Sequence, residues 1–337
     1  MKKLLAFALV AILLLSTFTG CDAVLADFQN LLATQSGNLI SKKFQVTFVP
    51  NNDEPFTSVL IENGKTVPTP DDPIKANYLF RGWYTDSALT SRYDFAQPVT
   101  QDLRLYAKYE IDASSLTNQI STDIIKGVVK VYNKSYNSFW GVETAYSTSQ
   151  GSGFCFHIQD GRYYILTNCH VAQKDASYSN QKFTIEDYQG NTYVGYLYKN
   201  PNKAISAIAA KYDLACLYFE ASSTNVKKLD IVSTNPAAGI DVISLGAPKG
   251  QSNTITFGQL VGYDQVTLDD CDPAYSNVTF DVIGHNAYAN NGSSGGPLLN
   301  ANLNVIGVNY AGSTSTEFAA AIPAEKVIEF LQEYVYD

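Results

Sequence analysis

Basic side chains are scarce in this sequence. The 337 residues include 23 lysines and arginines against 32 aspartates and glutamates, which gives a formal net charge of −9. Nucleic-acid binding needs a basic surface that neutralises phosphates, so we expect no nucleic acid among the partners. Charged residues of both signs make up only 16% of the chain, whereas hydrophobic residues make up 45%. Such a composition excludes intrinsic disorder and favours globular domains that bury a sizeable core.

Histidine is also rare, because the whole chain holds three, namely His157, His170 and His285. A single histidine on a strand is most often a structural residue, so the neighbouring motifs must decide which of them does chemistry. No cluster of histidines, cysteines and acidic residues has the spacing of metal ligands. We therefore expect no metal and no other cofactor.

Long apolar runs are missing except at the amino terminus. Two lysines precede an apolar stretch, residues 4–18, that is too short for a comfortable membrane span. Gly20 stands directly before Cys21, and this ending resembles the lipobox of bacterial lipoproteins. The resemblance implies that residues 1–20 are a signal peptide and that Cys21 is lipid-modified, which would hold the chain on the outer face of the bacterial cell membrane. An ordinary signal peptide followed by an incidental cysteine is the alternative.

The four remaining cysteines would then occupy a compartment that permits disulfides. Cys155, Cys169 and Cys216 lie inside apolar, strand-like runs, and Cys271 lies outside them. Buried free thiols are the favoured interpretation. If one bridge exists, Cys155 with Cys169 is the expected pair.

The first half of the chain contains a short segment without histidine or cysteine. Residues 21–43 show no strong pattern and are interpreted as a tether, and residues 44–110 contain alternating strands. The stretches "VTFVPN", "GWYTDSALTSRYDF" and "PVTQDLRLYAKY" resemble the Listeria-Bacteroides repeat of bacterial surface proteins. The resemblance implies a small β-grasp-like module that acts as a spacer or adhesive unit and can contact surface components. A single copy favours the spacer, and Trp83 and Tyr84 are better explained by core packing than by a binding surface.

The second half of the chain has the sequence pattern of an all-β domain. Residues 111–125 are rich in serine and threonine and are interpreted as a linker. From residue 126 onward, many short apolar segments alternate with turn residues and show no helical period, which predicts a β-barrel or sandwich. The tail behind Pro323 places apolar residues at helical spacing and predicts one terminal helix.

A glycine-rich stretch, "NNGSSGGPLLN" at residues 290–300, is the first candidate for chemistry. Acyl transfer needs a nucleophilic hydroxyl and main-chain N–H groups that point at one oxyanion. Ser294 offers a hydroxyl and an amide, Gly292 offers an unobstructed amide, and Gly295 and Gly296 let the backbone leave the turn close to a neighbouring strand. Taken alone, the same composition also describes a flexible turn.

Two further motifs remove this ambiguity. "TNCHV", "DLACL" and "GSSGGP" occur in the order His, Asp, Ser, which is the chain order of chymotrypsin-type serine proteases. Together with "GSGF" upstream and "VIGVNYAG" and "AAAIP" downstream, they resemble the trypsin-like peptidases, and most closely the bacterial branch that includes the HtrA proteases. The resemblance covers roughly residues 126–337 and implies a chymotrypsin-like double β-barrel with a C-terminal helix.

The resemblance also assigns roles to the catalytic residues. Ser294 would be the nucleophile, His170 the general base and later the general acid, and Asp213 the carboxylate that orients the imidazole. The amides of Gly292 and Ser294 would form the oxyanion hole. The sequence thus predicts a membrane-anchored serine endopeptidase that acts on proteins or peptides, and the alternative is a surface adhesin whose protease-like domain is inactive.

We expect the substrate backbone to bind along one strand and the P1 side chain to bind in one pocket. The resemblance implies that Asn309, Tyr310 and Ala311 pair with the substrate backbone as an added strand does. The pocket for the P1 side chain would be lined near Tyr288, Ala289 and Asn309, and since none of these is charged, we expect a neutral P1 residue.

Two residue types that related proteases and hydrolases have are absent here, namely a histidine after Ser294 and an aspartate at position 293. The motif G-x-S-x-G also occurs in α/β-hydrolases, but that fold needs a histidine after the serine, and none follows Ser294. Ser293 stands where zymogen-type trypsins carry an aspartate that binds a freed amino terminus. We therefore expect activity without cleavage near residue 126.

Overall fold

The computed structural model describes residues 42–200, 205–247, 254–266, 268, 271–289, 292–312 and 318–336. The expected signal peptide, the lipidation site at Cys21 and nearly all of the tether lie outside the described residues. The chain separates into two compact units, Met1–Glu110 and Ile111–Asp337. Strands account for 46% of the described residues and helices for 11%, which confirms the mainly β class. No helix in the described ranges is both long enough and apolar enough to cross a membrane.

The first unit is a four-stranded mixed sheet. Its strands are β1 (Lys43–Val49), β2 (Thr57–Glu62), β3 (Tyr78–Tyr84) and β4 (Leu103–Ile111), in the order β2-β1-β4-β3 with β1 and β4 parallel. Alternate residues of β1 are buried, as the sequence pattern predicts. Trp83 is 5% exposed and lies edge-on to Phe48, with ring centroids 4.9 Å apart, so its interpretation as a core residue is confirmed.

The second unit begins with a closed six-stranded barrel. Its strands, all paired with antiparallel neighbours, follow the order β10-β7-β6-β5-β8-β9 and close through a pairing of β9 with β10. The alternate apolar residues of these strands fill its interior. The bounds are β5 (Val128–Phe139), β6 (Val142–Gln159), β7 (Arg162–Thr167), β8 (Asn180–Glu186), β9 (Thr192–Leu197) and β10 (Ala215–Glu220).

A second closed barrel completes the predicted double-barrel architecture. Its order is β11-β12-β13-β16-β15-β14. One apolar cluster contains residues of both barrels, among them Phe154 of the first and Leu245 of the second, and so joins them into one core. The bounds are β11 (Asp241–Gly246), β12 (Thr254–Asp264), β13 (Val282–His285), β14 (Pro297–Asn300), β15 (Val305–Gly312) and β16 (Ala319–Pro323).

The segment expected to be a linker is instead mostly helical. Helix α1 spans Ala113–Thr122, and a 3₁₀ turn follows at Ile124–Gly127. Asp112 caps the helix by accepting the Ser115 N–H at 3.0 Å. Leu116 and Ile120 are fully buried in the core shared by the two barrels. Two apolar residues four positions apart supply a buried helical face that the serine- and threonine-rich composition conceals.

Two more helices belong to this unit. Helix α2 (Ile205–Tyr212) interrupts the strands between β9 and β10 and was not predicted. Helix α3 (Ala324–Phe330) continues into a π-helical turn at Leu331–Val335, and it agrees with the terminal helix that the apolar spacing predicts.

Candidate active site

The end of α2 places a carboxylate inside the protein. After Tyr212 the chain turns at Asp213, whose φ of +46° lies in the left-handed region, and then enters β10. The Asp213 side chain is fully buried. Its Oδ2 lies 2.7 Å from Nδ1 of His170, and its Oδ1 accepts the backbone N–H of His170 at 2.9 Å. This pair of bonds satisfies the buried charge and keeps a proton on Nδ1, which leaves Nε2 of the imidazole as the acceptor.

A neighbouring amide supports the turn at Asp213. Asn168 is fully buried and donates from Nδ2 to the main-chain oxygen of Asp213 at 2.9 Å. This bond ties the turn to the end of β7, two residues before His170. No sequence pattern singled out Asn168, although it belongs to the motif that contains the histidine.

The loop that carries Ser294 shows why its glycines are required. Gly292 has a φ of +100° and Gly295 a φ of +87°, a region that disfavours other residues. A Cβ on Gly295 would lie 2.1 Å from the main-chain oxygen of Ser152 and 2.3 Å from Oγ1 of Thr167. The loop of the second barrel thus packs directly against the first barrel with no room for a side chain.

Ser152 on β6 connects the first barrel to this loop. Its N–H donates to the Ser294 oxygen at 2.8 Å, and its hydroxyl donates to the Gly292 oxygen at 2.6 Å. The same hydroxyl accepts the Ala247 N–H at 3.0 Å. These bonds hold the peptide groups around Gly292 and Ser294, the two residues assigned to the oxyanion hole. The "GSGF" motif was noticed in the sequence, but this role was not predicted.

The expected nucleophile and base lie on loops that meet around Gly151. A Cβ at Gly151 would lie 2.6 Å from Cγ1 of Val171 and 3.1 Å from the main-chain oxygen of Ser294. Within the described residues, the hydrogen bonds of the His170 side chain go to Asp213, and none joins Nε2 to the Ser294 hydroxyl. Such bonds are often long in a free enzyme and tighten with bound substrate.

The residues expected to bind substrate are only partly at the surface. Asn309 is 1% exposed, and its Nδ2 donates to the Leu245 oxygen at 3.2 Å. Its main chain pairs with Gly295 and Gly296, with both bonds at 2.8 Å. Asn309 therefore supports the Ser294 loop, and its side chain does not line an open pocket, contrary to expectation. The reason is that both faces of β15 are covered at this point, since Val308 and Tyr310 are buried as well.

The other substrate-binding candidates differ in exposure. Tyr310 is 1% exposed, and its hydroxyl donates to the Val266 oxygen at 3.3 Å, so only its main chain is suited to bind substrate. Ala311 follows a β-bulge and is partly exposed. Tyr288 is 50% exposed, whereas Ala289 is buried.

The remaining histidines have no part in this arrangement. His157 lies on β6, partly exposed, with Nε2 at 3.3 Å from Oε1 of Gln159. His285 is fully buried on β13, and burial lowers its pKa to about 4, an effect opposed by the main chain of Ala287. Neither ring nitrogen makes a hydrogen bond of normal geometry within the described residues.

The four cysteines of the second unit are free thiols. Burial raises the pKa of Cys155 to about 12, and it raises the pKa of Cys169 and Cys216 still further. The favoured interpretation of buried free thiols is confirmed for these three, and the pair Cys155 and Cys169 forms no disulfide. Their raised pKa makes them poor nucleophiles at neutral pH.

Each of the two units matches a known family of protein domains. Residues 151–308 match the trypsin-like peptidase domain, and residues 44–108 match the Listeria-Bacteroides repeat domain. This chain is 32% identical to mouse "Serine protease HTRA4" over 187 residues, which cover 56% of this chain and 35% of that protein. It is also 32% identical to "Serine protease Do-like HtrB" of Bacillus subtilis over 189 residues, which cover 55% of this chain and 38% of that protein. The chain thus spans little more than a third of the length of these relatives.

A solved structure supports the fold. The active form of the Rv3671c protease from M. tuberculosis superposes with a TM-score of 0.50 at 22% identity, covering 66% of this chain and 86% of the other. The double barrel and the His–Asp pair agree with the match of residues 151–308 to the trypsin-like peptidase domain. Residues 151–308 are therefore similar to the trypsin-like peptidase domain and to HtrA-type serine proteases, and residues 44–108 to the Listeria-Bacteroides repeat. These two resemblances noted in the sequence are confirmed, whereas the lipobox resemblance stays a prediction.

Proposed function

We propose that this protein is a serine endopeptidase that hydrolyses peptide bonds through an acyl-enzyme on Ser294. The observation that carries the proposal is the fully buried Asp213 carboxylate, which binds both the backbone and Nδ1 of His170. A buried charge is costly unless it is paired. An imidazole held in one tautomer beside a glycine-rich serine loop is the arrangement that general-base catalysis requires.

The proposed mechanism uses the same groups in both half-reactions, with His170 acting first as base and then as acid in each. Nε2 of His170 takes the proton of the Ser294 hydroxyl as Oγ attacks the scissile carbonyl carbon, and Asp213 stabilises the imidazolium. The amides of Gly292 and Ser294 donate to the oxyanion. The imidazolium then protonates the leaving amine, which departs as the acyl-enzyme forms. In the second half, water replaces the amine, His170 deprotonates it, and the acid product leaves as Ser294 regains its proton.

The substrate is proposed to be a protein or peptide that binds as an extra strand along Tyr310 and Ala311, because the Asn309 N–H and C=O already pair with Gly296 and Gly295. Ala311, partly exposed beyond the bulge, supplies the accessible end of this strand. Tyr288 supplies the exposed ring near the P1 pocket and Ala289 a small buried neighbour. Since neither side chain carries a charge, a neutral P1 residue is favoured.

The proposed location is outside the cytoplasm, on the bacterial cell membrane, with the lipid anchor at Cys21. The repeat unit would act as a spacer and can contact surface components. Mass spectrometry of the protein made in a lipoprotein-processing bacterium tests the anchor, because Cys21→Ser should lose the lipid mass. An unmodified wild-type Cys21 would contradict it.

One observation favours a second function, a surface adhesin with an inactive protease-like domain. The Ser294 hydroxyl makes no hydrogen bond to His170 among the described residues. A fluorophosphonate probe separates the two functions, because it labels only an activated serine. The proposal expects labelling of the wild type and none of Ser294→Ala. A folded wild type that stays unlabelled and cleaves no peptide library would favour the adhesin.

A further inference from the structure

A cluster of exposed apolar side chains lies at the end of the β5–β6 hairpin. Trp140 is 89% exposed, Phe139 69% and Val142 66%. We call these three residues the hairpin tip. The rings of Phe139 and Trp140 lie edge to face with centroids 6.1 Å apart, so they form one continuous apolar surface. The proposed catalytic reaction gives this surface no role.

The hairpin tip stands at the end of a ribbon of two strands. β8 pairs with β5 only as far as Tyr136, which faces Asn180. β5 and β6 continue to pair beyond that point, up to Phe139 opposite Val142. The last residues of the hairpin therefore lack a third strand and extend past the sheet of the barrel. Their side chains are presented on a narrow point rather than in a groove.

The turn itself is poorly suited to tryptophan. Trp140 and Gly141 are the two loop residues, with φ values of +51° and +80°. Two-residue hairpin loops of this kind favour Asn-Gly or Asp-Gly, and a bulky residue at positive φ is an outlier. The hairpin would fold as well or better with asparagine in place of Trp140. An exposed ring kept in a strained position indicates a use outside the fold.

The side chains behind the tip combine aromatic rings with charged groups. Lys134 lies over the Tyr146 ring, 4.0 Å from its centroid, and Lys182 lies 5.1 Å from the centroid of Tyr136. Both lysines also bind the carboxylate of Glu143. From the tip inward, the indole and phenyl rings thus come first, and the Glu143 carboxylate, the two tyrosines and the two ammonium groups lie behind them. Side chains that enter a membrane interface follow this order.

From this order we infer that the hairpin tip inserts into the interface of a lipid bilayer. Two aromatic rings and a valine present roughly 500 Å² of apolar surface, whereas a stable protein interface needs about 800 Å² on each partner. The area is too small for a second protein, and the narrow shape fits between lipid headgroups. Because Glu143 offsets one of the two nearby lysine charges and leaves a net charge of only +1, the binding should depend on the rings more than on charge.

The two tryptophans of the chain make the test direct. Trp83 is buried in the repeat unit and Trp140 is exposed, so a change in the emission of Trp140 stands out. Residues 22–337, without lipid, are mixed with phosphatidylcholine vesicles. We expect a blue shift and quenching by brominated lipid, both absent in Trp140→Asn. That variant should also lose at least about tenfold in vesicle co-sedimentation, while its Asn-Gly turn preserves the hairpin.

Two matched variants isolate the contribution of the hairpin tip. Ile74 is 84% exposed in the repeat unit, and Ile74→Asn should bind vesicles as the wild type does. Ser294→Ala should also bind normally, so this inference and the proteolytic proposal can fail separately. Binding should persist at about 0.5 M salt, where surface charges are screened.

Three outcomes would overturn the inference. The first is an unchanged Trp140 emission with vesicles. The second is a blue shift that grows with protein concentration in their absence, which would assign the hairpin tip to contacts between copies of the chain. The third is equal loss of binding in Trp140→Asn and Ile74→Asn.

Discussion

Replacing Ser152 by alanine should impair catalysis through a residue that does not touch the substrate. The change removes the hydroxyl that donates to the Gly292 oxygen and accepts the Ala247 N–H. It keeps the Ser152 N–H, which bonds the Ser294 oxygen. The nucleophile therefore stays in place, while the peptide group after Gly292 loses the bond that fixes its orientation.

The size of the effect follows from the bonds that are lost. Ser152 is fully buried, so the Gly292 oxygen and the Ala247 N–H lose a partner that water cannot easily replace. Each unsatisfied buried group costs roughly 1–3 kcal/mol, so for the two groups we expect about 2–6 kcal/mol of lost stability. The Gly292 N–H belongs to the preceding peptide group, so it is affected only if the whole loop shifts. If that shift takes it out of the oxyanion hole, kcat should fall by about 10²- to 10³-fold, since that is the usual effect of losing one donor.

The assay must separate a catalytic effect from partial unfolding. Peptide cleavage is measured well below the unfolding temperature, and the folded fraction is taken from urea unfolding of the same sample. Thr167→Val is the matched control, because Thr167 is also fully buried and donates to the Ser152 oxygen at 2.7 Å, with no bond to Gly292. Ser152→Ala should lower kcat far more than Thr167→Val at a similar loss of stability. Equal kcat values in the two variants would refute the positioning role.

Three further predictions concern the core and the acid–base pair. Asp213→Asn should lower kcat by about 10⁴-fold in peptide cleavage, because the imidazole then takes the wrong tautomer; an unchanged kcat would contradict the proposed mechanism. Ile120→Ala should cost about 2–5 kcal/mol in urea unfolding, since Ile120 is fully buried, and a loss below that range would mean that α1 packs loosely. The folded pKa of His285 is about 4 against an ordinary 6.5, so the unfolded chain takes up the proton first as the pH falls. Stability should therefore be complete above pH 6.5 and decline by about 3 kcal/mol towards pH 4, a decline that His285→Leu should lose in urea unfolding at pH 7.5 and 4.5.

Local patterns in the sequence predicted much of the fold. Most strands of the two barrels show apolar alternation or short apolar runs between turns, and the order of three motifs predicted the candidate site. Helix α2 was missed because its eight residues are too few to show a helical period. Helix α1 was missed because polar residues outnumber the two, Leu116 and Ile120, that face the core.

Long-range contacts account for what the sequence concealed at the site. The hydroxyl of Ser152 bonds to Gly292, 140 residues further along the chain, and no local pattern points to that partner. Asn309 sits in a strand whose alternation allows either face, and only the packing of β15 against Leu245 shows that its amide points inward. The sequence therefore predicted the candidate-site residues that belong to a motif. It did not predict the roles of residues whose partners lie far away in the chain.

The division of the site between two barrels explains why its glycines and Ser152 are needed together. The first barrel supplies His170 and Asp213, and the second supplies the Ser294 loop. The halves work only if they are held in register, and Gly295 permits an approach that any side chain would block. Hydrogen bonds from Ser152 then fix the loop at that distance. Changes at this barrel interface should therefore reduce activity before they unfold the protein, because a displacement of about 1 Å in the reacting groups is already costly to catalysis.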